Sequence, residues 1–186
     1  MNETLRLIKE RYSCRDFDKQ MPTEEQLQAV ALAAVQAPSG MNRQGWQIIV
    51  VRDEALIADM EKEGMSLLES MDKKTFERIL SRGGHMFYHA PCMVMIAVKQ
   101  AQPRGAELVD LGIAAQNAVL AATSLGLASL HCGLAGLAFA GEREAEFKAR
   151  LSFPEGYECG LAVLLGTAKT LSVPHTPDMD KITYVD

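Results

Sequence analysis

The sequence predicts an α+β (mixed α/β) domain in which helices cover a small central sheet. Three observations carry this. Helical periodicity and an Ala-rich stretch dominate the chain. Short, continuous apolar runs at Cys92–Val98 and Tyr157–Leu165 read as strands buried on both faces. No repeat, low-complexity tract or linker divides the chain, so residues 1–186 read as one domain. A chain of 186 residues, 48% hydrophobic, can bury a core unaided.

Taken in order, Asn2 is an N-cap, and the spacing of Leu5, Ile8 and Tyr12 predicts an amphipathic first helix. A turn spans Asp16–Met21. Thr23 and Gln26 form a capping box that opens a helix through Gln36, stopped by Pro38. Trp46–Arg52 reads as a strand. Two helices follow, Glu54–Glu63 and Ser66–Arg82, separated near Gly64, and His85 and His89 fall at an exposed helix end. After the Cys92–Val98 strand comes a long helix from about Gly105 to Leu125, ended by Gly126. Leu127–His131 is a short strand, Glu142–Leu151 a helix, and Tyr157–Leu165 a strand. The tail alternates in a strand-like way over Ile182–Val185.

The net charge of -5 and pI near 5.4 argue against nucleic-acid or anionic-membrane partners. Any anion held here needs a local grip. Cys14, Cys92, Cys132 and Cys159 show no zinc or dithiol spacing, and no metal site is predicted. The N-terminal stretch is charged from its third residue and does not read as a signal peptide, which places the chain in a reducing cytoplasm. Leu111–Gly141 carries no Asp, Glu, Lys or Arg, yet Gln116, Asn117, Gly126, Gly133 and Gly136 interrupt it. It reads as a helix and turn buried in a core or against a partner chain, not as a membrane span.

Two segments carry chemistry. In Arg11-Tyr12-Ser13-Cys14-Arg15, two guanidinium groups flank a hydroxyl, a set suited to phosphate oxygens or simply to a solvated helix end. In Ala37-Pro38-Ser39-Gly40-Met41-Asn42-Arg43-Gln44, small and amide residues precede a strand. They suit the edge of a heterocycle, or merely a helix stop and turn. His131 beside Cys132 invites a cysteine nucleophile, but adjacent side chains diverge and no orienting carboxylate is near in sequence.

R-x-S-x-R-x-F at Arg11, Ser13, Arg15 and Phe17 resembles the flavin-phosphate motif of the FMN-dependent nitroreductase family. A-P-S-x-x-N-x-Q-x-W, from Ala37 to Trp46, resembles that family's second motif. Asp110–Ser129 resembles its dimer helix, and Pro154–Tyr157 with the following strand and Gly166 its closing strand. The resemblance implies a nitroreductase-like fold with a mainly antiparallel central sheet, built as an intertwined homodimer. It implies that Arg11, Ser13 and Arg15, with Tyr12 alongside, hold the FMN phosphate and ribityl chain, and that Lys169 adds a phosphate ligand. Pro38, Ser39, Gly40 and Asn42 would approach the ring from the partner subunit. Asp110 would lie near the flavin, and His131, Cys132 and Gly133 would face its N5 edge. The chain departs from many relatives in lacking an Arg-containing basic pair after the last strand, and in having Ala128 and His131 at the substrate wall.

The function implied is an FMN-dependent oxidoreductase with no protein acid or base required. NAD(P)H would reduce the flavin, and a nitroaromatic, quinone or similar small electron-poor acceptor would reoxidise it by a ping-pong mechanism. The absence of a G-x-G-x-x-G fingerprint agrees with a nicotinamide that binds only transiently. Rival readings are another flavin reaction on the same scaffold (reductive dehalogenation, enone reduction or flavin fragmentation), a non-catalytic flavin carrier, and a hydrolase built on Cys132.

Overall fold

The computed structural model describes residues 1–99 and 105–185. Its elements follow in the order α1 (Glu3–Glu10), α2 (Glu24–Val35), β1 (Trp46–Val51), α3 (Glu54–Met71), α4 (Lys73–Leu80), β2 (Cys92–Lys99), α5 (Ala106–Ser124), β3 (Ala128–Cys132), α6 (Glu144–Arg150) and β4 (Tyr157–Gly166). Short 3₁₀ turns lie at Gly40–Asn42, Gly133–Phe139 and Met179–Lys181.

The local signals place the first helices closely. Asn2 Oδ1 accepts the Leu5 N–H at 3.0 Å. The Thr23 hydroxyl accepts the Gln26 N–H at 3.2 Å, while Gln26 Oε1 accepts the Thr23 N–H at 2.9 Å. Such reciprocal caps satisfy amides that a helix start leaves open.

Gly64 does not divide the helices. It sits inside α3, where an added Cβ would lie 2.5 Å from Met86 Cε, so its lack of a side chain makes room for a buried methionine. The break falls at Asp72, whose N–H closes α3 on the Leu68 carbonyl and whose carboxylate caps α4 through the Thr75 N–H at 3.0 Å. His85 and His89 lie in a run of turns, not at a helix end. The Ile182–Val185 stretch forms no strand, because no sheet edge of this chain pairs with it.

The sheet has order β1-β2-β4-β3 and every pair is antiparallel. Alternation along β2 feeds two separate cores. Met93 and Met95 pack with Met60, Phe87 and Phe147 under α3 and α6. Cys92, Val94 and Ile96 pack with Val30, Ala34, Ala114 and Ala118 under α2 and α5. Both faces are therefore covered, which is why β2 and β4 read as unbroken apolar runs. Opposite Ile96 the ladder slips by one residue at Gly160, where a Cβ would lie 2.9 Å from the Ile96 carbonyl oxygen. Outside the core, Arg143 grips Asp59 with two bonds of 2.8 and 3.0 Å and Arg150 adds a third at 3.0 Å, tying α6 to α3. These guanidinium groups, Arg143 first, hold the Asp59 carboxyl down at about 2.

Between α1 and α2 the chain runs extended along the outer side of the sheet. The Cys14 N–H donates to the Ser129 carbonyl at 3.0 Å, Phe17 N–H to Tyr88 at 3.1 Å, and Asp18 N–H to Thr167 at 2.8 Å. Cys14 and Phe17 are fully buried and act as the two plugs of this segment. Phe17 fits because residue 166 has no side chain: a Cβ there would meet Pro91 Cδ at 2.8 Å and Phe17 Cδ1 at 3.1 Å. Both obstacles are rings, so neither can swing aside. Gly166→Ala is accordingly expected to lower unfolding free energy by about 1–3 kcal/mol, the usual cost of overpacking. Urea denaturation followed by circular dichroism checks this, and an unchanged midpoint would contradict the tight fit.

Candidate functional site

The segment after α1 presents its polar side chains outward from these plugs. Arg11, Tyr12 and Ser13 are half-buried and Arg15 is exposed. Ser13 bridges β3 at Ser129 in parallel register. Burial raises the Tyr12 phenol above its ordinary value, so it stays neutral. Neither Arg11 nor Arg15 has an ion-pair partner among the described residues; Arg15 makes only a long 3.4 Å contact with the Ser13 carbonyl. Arg6, Arg52, Arg143 and Arg150 are matched with carboxylates, whereas Arg78 and Arg82, like Arg11 and Arg15, have no ion pair among the described residues. In an acidic chain, two unmatched guanidinium groups around one hydroxyl fit a dianionic phosphate, a bidentate acceptor of high charge.

The far end of β3 adjoins this segment. His131 faces α5, where its ring hydrogen-bonds the Ala115 carbonyl; burial chiefly, and the Arg11 charge in addition, holds it below its ordinary value. Cys132 points the opposite way, into the core under α3. Burial pushes its thiol up to about 11, even though the Ala135 and Leu134 amides donate to the sulfur. Burial likewise raises Cys14 and pushes Cys92 and Cys159 up to about 12. A thiolate nucleophile has no support here, since alternation separates Cys132 from the neighbouring imidazole. Gly133 then opens a 3₁₀ turn, and a Cβ on it would meet nothing within 4 Å. Its backbone is open to an approaching planar group.

The second segment is rigid and lies elsewhere. Met41, Asn42 and Gln44 adopt left-handed backbone at φ 53, 53 and 47°. Ser39 Oγ accepts the Gln44 N–H at 2.9 Å, and the Asn42 N–H donates to the Ser39 carbonyl at 2.9 Å. Gln44 Nε2 donates to Asn42 Oδ1 at 3.0 Å, which directs the Asn42 amide NH₂ outward as a donor. Asp110, near the start of α5 and almost fully buried, accepts the Gly40 N–H at 3.1 and 3.3 Å. Its carboxylate thus anchors the loop, a role that spacing in the sequence does not reveal.

Within one chain these two groups do not meet. The Arg11–Arg15 segment and Gly133 flank β3 at one sheet edge, and the Ser39–Gln44 loop leads into β1 at the other. Three interstrand steps, roughly 14 Å, separate the edges, and the sheet between is buried on both faces. Lys169 is joined to the first segment by its backbone, donating to the Asp16 carbonyl at 2.9 Å, but its side chain lines a cleft with Lys19 and His89. The Glu61–His85 contact at 3.0 Å gave no signal in the sequence, since its partners are 24 residues apart. Among the described residues no group of His, Cys, Asp and Glu is placed to hold a metal, and no helix is long and apolar enough to cross a membrane.

The model of the nitroreductase family matches residues 8–167 of this chain. A crystal structure of a nitroreductase with bound FMN from Desulfitobacterium hafniense DCB-2 superimposes with TM-score 0.98 at 56% identity, covering 100% of both chains. A protein from Archaeoglobus fulgidus, an NADH dehydrogenase/NAD(P)H nitroreductase by name, is 28% identical over 175 residues, 91% of this chain and 87% of its own length. An iodotyrosine deiodinase from Thermotoga neapolitana is 34% identical over 76 residues, 41% of this chain and 39% of its own.

The Asp110 anchor is open to test. Asp110→Ala leaves the Gly40 amide without its charged acceptor and is expected to cost about 1.5–3 kcal/mol, with Gly40 amide exchange accelerated. Asp110→Asn, which keeps an acceptor, should cost less. Equal stability and equal Gly40 protection in wild type and Asp110→Ala would remove the anchor.

Proposed function

The chain belongs to the nitroreductase family, and on that premise we propose that it is an FMN-dependent oxidoreductase drawing on NAD(P)H to reduce nitroaromatic, quinone or similar electron-poor acceptors. The observation that carries this is the unmatched Arg11 and Arg15 pair around Ser13, set beside the open backbone at Gly133. When bound, FMN would supply two-electron transfer between nicotinamide and acceptor.

Arg11, Ser13 and Arg15 hold the phosphate, and Tyr12 lies along the ribityl chain. The backbone of His131, Cys132 and Gly133 lines the ring edge. Pro38, Ser39 and the outward amide of Asn42 approach the ring from a second copy of the chain. Gly40 supports that loop through its bond to Asp110 and offers its carbonyl to Arg43, 3.1 Å away. Neutral His131 and the high thiol of Cys132 leave the ring edge without a charged acid or base. With no separate nucleotide fold in the chain, nicotinamide and acceptor use one opening in turn, which gives ping-pong kinetics. Four free cysteines, three of them buried, fit a reducing cytoplasm.

A second copy is also what the apolar surface calls for. Leu5 and Ile8 on α1, Leu32 and Val35 on α2, and Leu108 and Val109 on α5 are all exposed in the single chain. Gly112 on α5 has open space where a Cβ would stand, so another helix can approach closely. The tail, with Val173, Tyr184 and Val185 each more than four-fifths exposed, leaves the globule without a partner of its own and reaches across to the second protomer. A C2 homodimer places one protomer's donor loop beside the other's phosphate grip.

Reductive dehalogenation is the second reading, favoured by the partial match to the deiodinase. Halide release from a halophenol by the reduced protein, with no reoxidation by nitroaromatics or quinones, would select it.

Two measurements test the main reading. Arg11→Ala with Arg15→Ala should weaken FMN binding by two orders of magnitude or more, since each charged hydrogen bond contributes about 1.5–3 kcal/mol. Flavin retention equal to wild type after gel filtration would overturn the phosphate assignment. For the assembly, analytical ultracentrifugation of the flavin-loaded protein across dilution should show a dimer that loses flavin as it dissociates. A monomer that keeps its flavin would contradict the shared site.

A further inference from the structure

The β3 edge shows different side chains on its two faces. Ala128, Leu130 and Cys132 belong to the core under α3, and so do Tyr12 and Cys14 of the adjoining extended segment. Alternation therefore turns Ser129 and His131 to the opposite face, under α5. Ser13 is bridged to Ser129, and residues paired across a ladder share a face. Arg11 and Arg15 alternate with Tyr12 and Cys14 as Ser13 does. Arg11, Ser13, Arg15 and the His131 imidazole thus stand on one side of the same edge.

The imidazole is held in one tautomer. Its ring N–H donates to the Ala115 carbonyl of α5. Burial first, with the Arg11 charge adding to it and the Ala115 bond opposing, keeps the ring below its ordinary value, so it is neutral at pH 7. A neutral imidazole has one N–H and one lone pair. With the N–H committed to Ala115, the second nitrogen is an acceptor with no partner among the described residues. No buried polar side-chain atom among them is left unsatisfied, so this nitrogen is reachable from outside.

Charge and spacing decide what that nitrogen meets. β4 pairs Val163 with His131 and carries no titratable side chain from Leu161 to Gly166. α5 carries none from Leu111 to Ser124; its carboxylates, Glu107 and Asp110, precede that stretch. In the extended segment, Asp16 acts on His89 instead, and Glu10 is paired with Arg6. Arg11 is the charged group that bears on the ring. Along the edge, Ser129 lies beside the arginines and Gly133 at the open backbone, about 13 Å apart at the rise of an extended strand. His131 is midway. A flavin held by its phosphate at the first and by its ring at the second has its polyol chain to set against the imidazole. Hydroxyls are donors as well as acceptors, and the lone pair offered here is an acceptor.

Resting on the flavin reading above, we propose that the His131 side chain is itself a flavin ligand: its second nitrogen accepts a hydroxyl of the ribityl chain. The site then selects for the polyol as well as for the phosphate. A flavin phosphate with no hydroxyls on its side chain keeps the arginine grip and loses this contact.

The test is a thermodynamic cycle on the full-length protein, dialysed free of its own flavin. Dissociation constants are read from flavin fluorescence for FMN and for a flavin phosphate whose side chain is a plain alkyl chain of equal length. His131→Phe should bind FMN about fivefold more weakly than wild type, the effect of one neutral hydrogen bond. The two proteins should bind the hydroxyl-free flavin equally, because the coupling is specific to the pair. Equal loss for both ligands marks a structural role and overturns the contact, as does no loss for either. His131→Leu enters the same cycle, so the result does not hang on one replacement folding well. In wild type, the ¹⁵N resonance of the unprotonated His131 nitrogen should move further with FMN than with the hydroxyl-free flavin. Equal movement overturns the contact even if neither variant folds. If wild type binds neither ligand, the flavin reading itself fails and this proposal falls with it.

Discussion

The burial of both sheet faces constrains everything else in this molecule. Met93 and Met95 feed one core, and Val94 and Ile96 the other, so no face of the sheet is left to carry polar chemistry. Function is pushed to the two edges and to the loops beside them. At the β3 edge, Ser13 and Cys14 attach an extended segment by backbone bonds, which leaves the intervening polar side chains free to face outward. At the β1 edge, the Ser39–Gln44 loop is stiffened by its own hydrogen bonds and by buried Asp110. The same filled layer lies between these two edges of the sheet.

That separation explains why the surface looks unfinished. Apolar side chains on α1, α2 and α5 stay in water in the single chain, as does most of the tail. A monomeric protein seldom leaves so many on neighbouring elements. In the proposed assembly, one symmetric contact with a second copy would cover the bare helices and bring the two loop regions together. Electrostatics points the same way. Arg143 and Arg150 use their charge structurally, on Asp59, whereas Arg11 and Arg15 keep theirs unmatched. Two guanidinium groups on either side of one hydroxyl, free of carboxylates, are what the proposed phosphate grip draws on.

The left-handed Tyr88–His89 turn links the site to the rest of the protein. Its carbonyl secures Phe17, and Phe17 with Gly166 positions the segment that carries both arginines.

The sequence by itself determined whatever depends on near neighbours. The Asn2 cap, the Thr23–Gln26 box, the ends of α5 and the two buried strands rest on contacts within about four residues or on simple periodicity, and they stand where the sequence places them. Where the reading failed, the deciding contact was distant. Gly64 looked like a break but answers to Met86, and Asp72 ends one helix and starts the next with no glycine or proline to announce it. The tail alternates like a strand, yet it pairs with neither edge of this chain's sheet and so forms none. The bond from the Gly40 N–H to Asp110 spans 70 residues, so no local pattern announces it. Tertiary structure alone decided these points, because an isolated residue's propensity is small compared with the packing and hydrogen bonding that its distant neighbours impose.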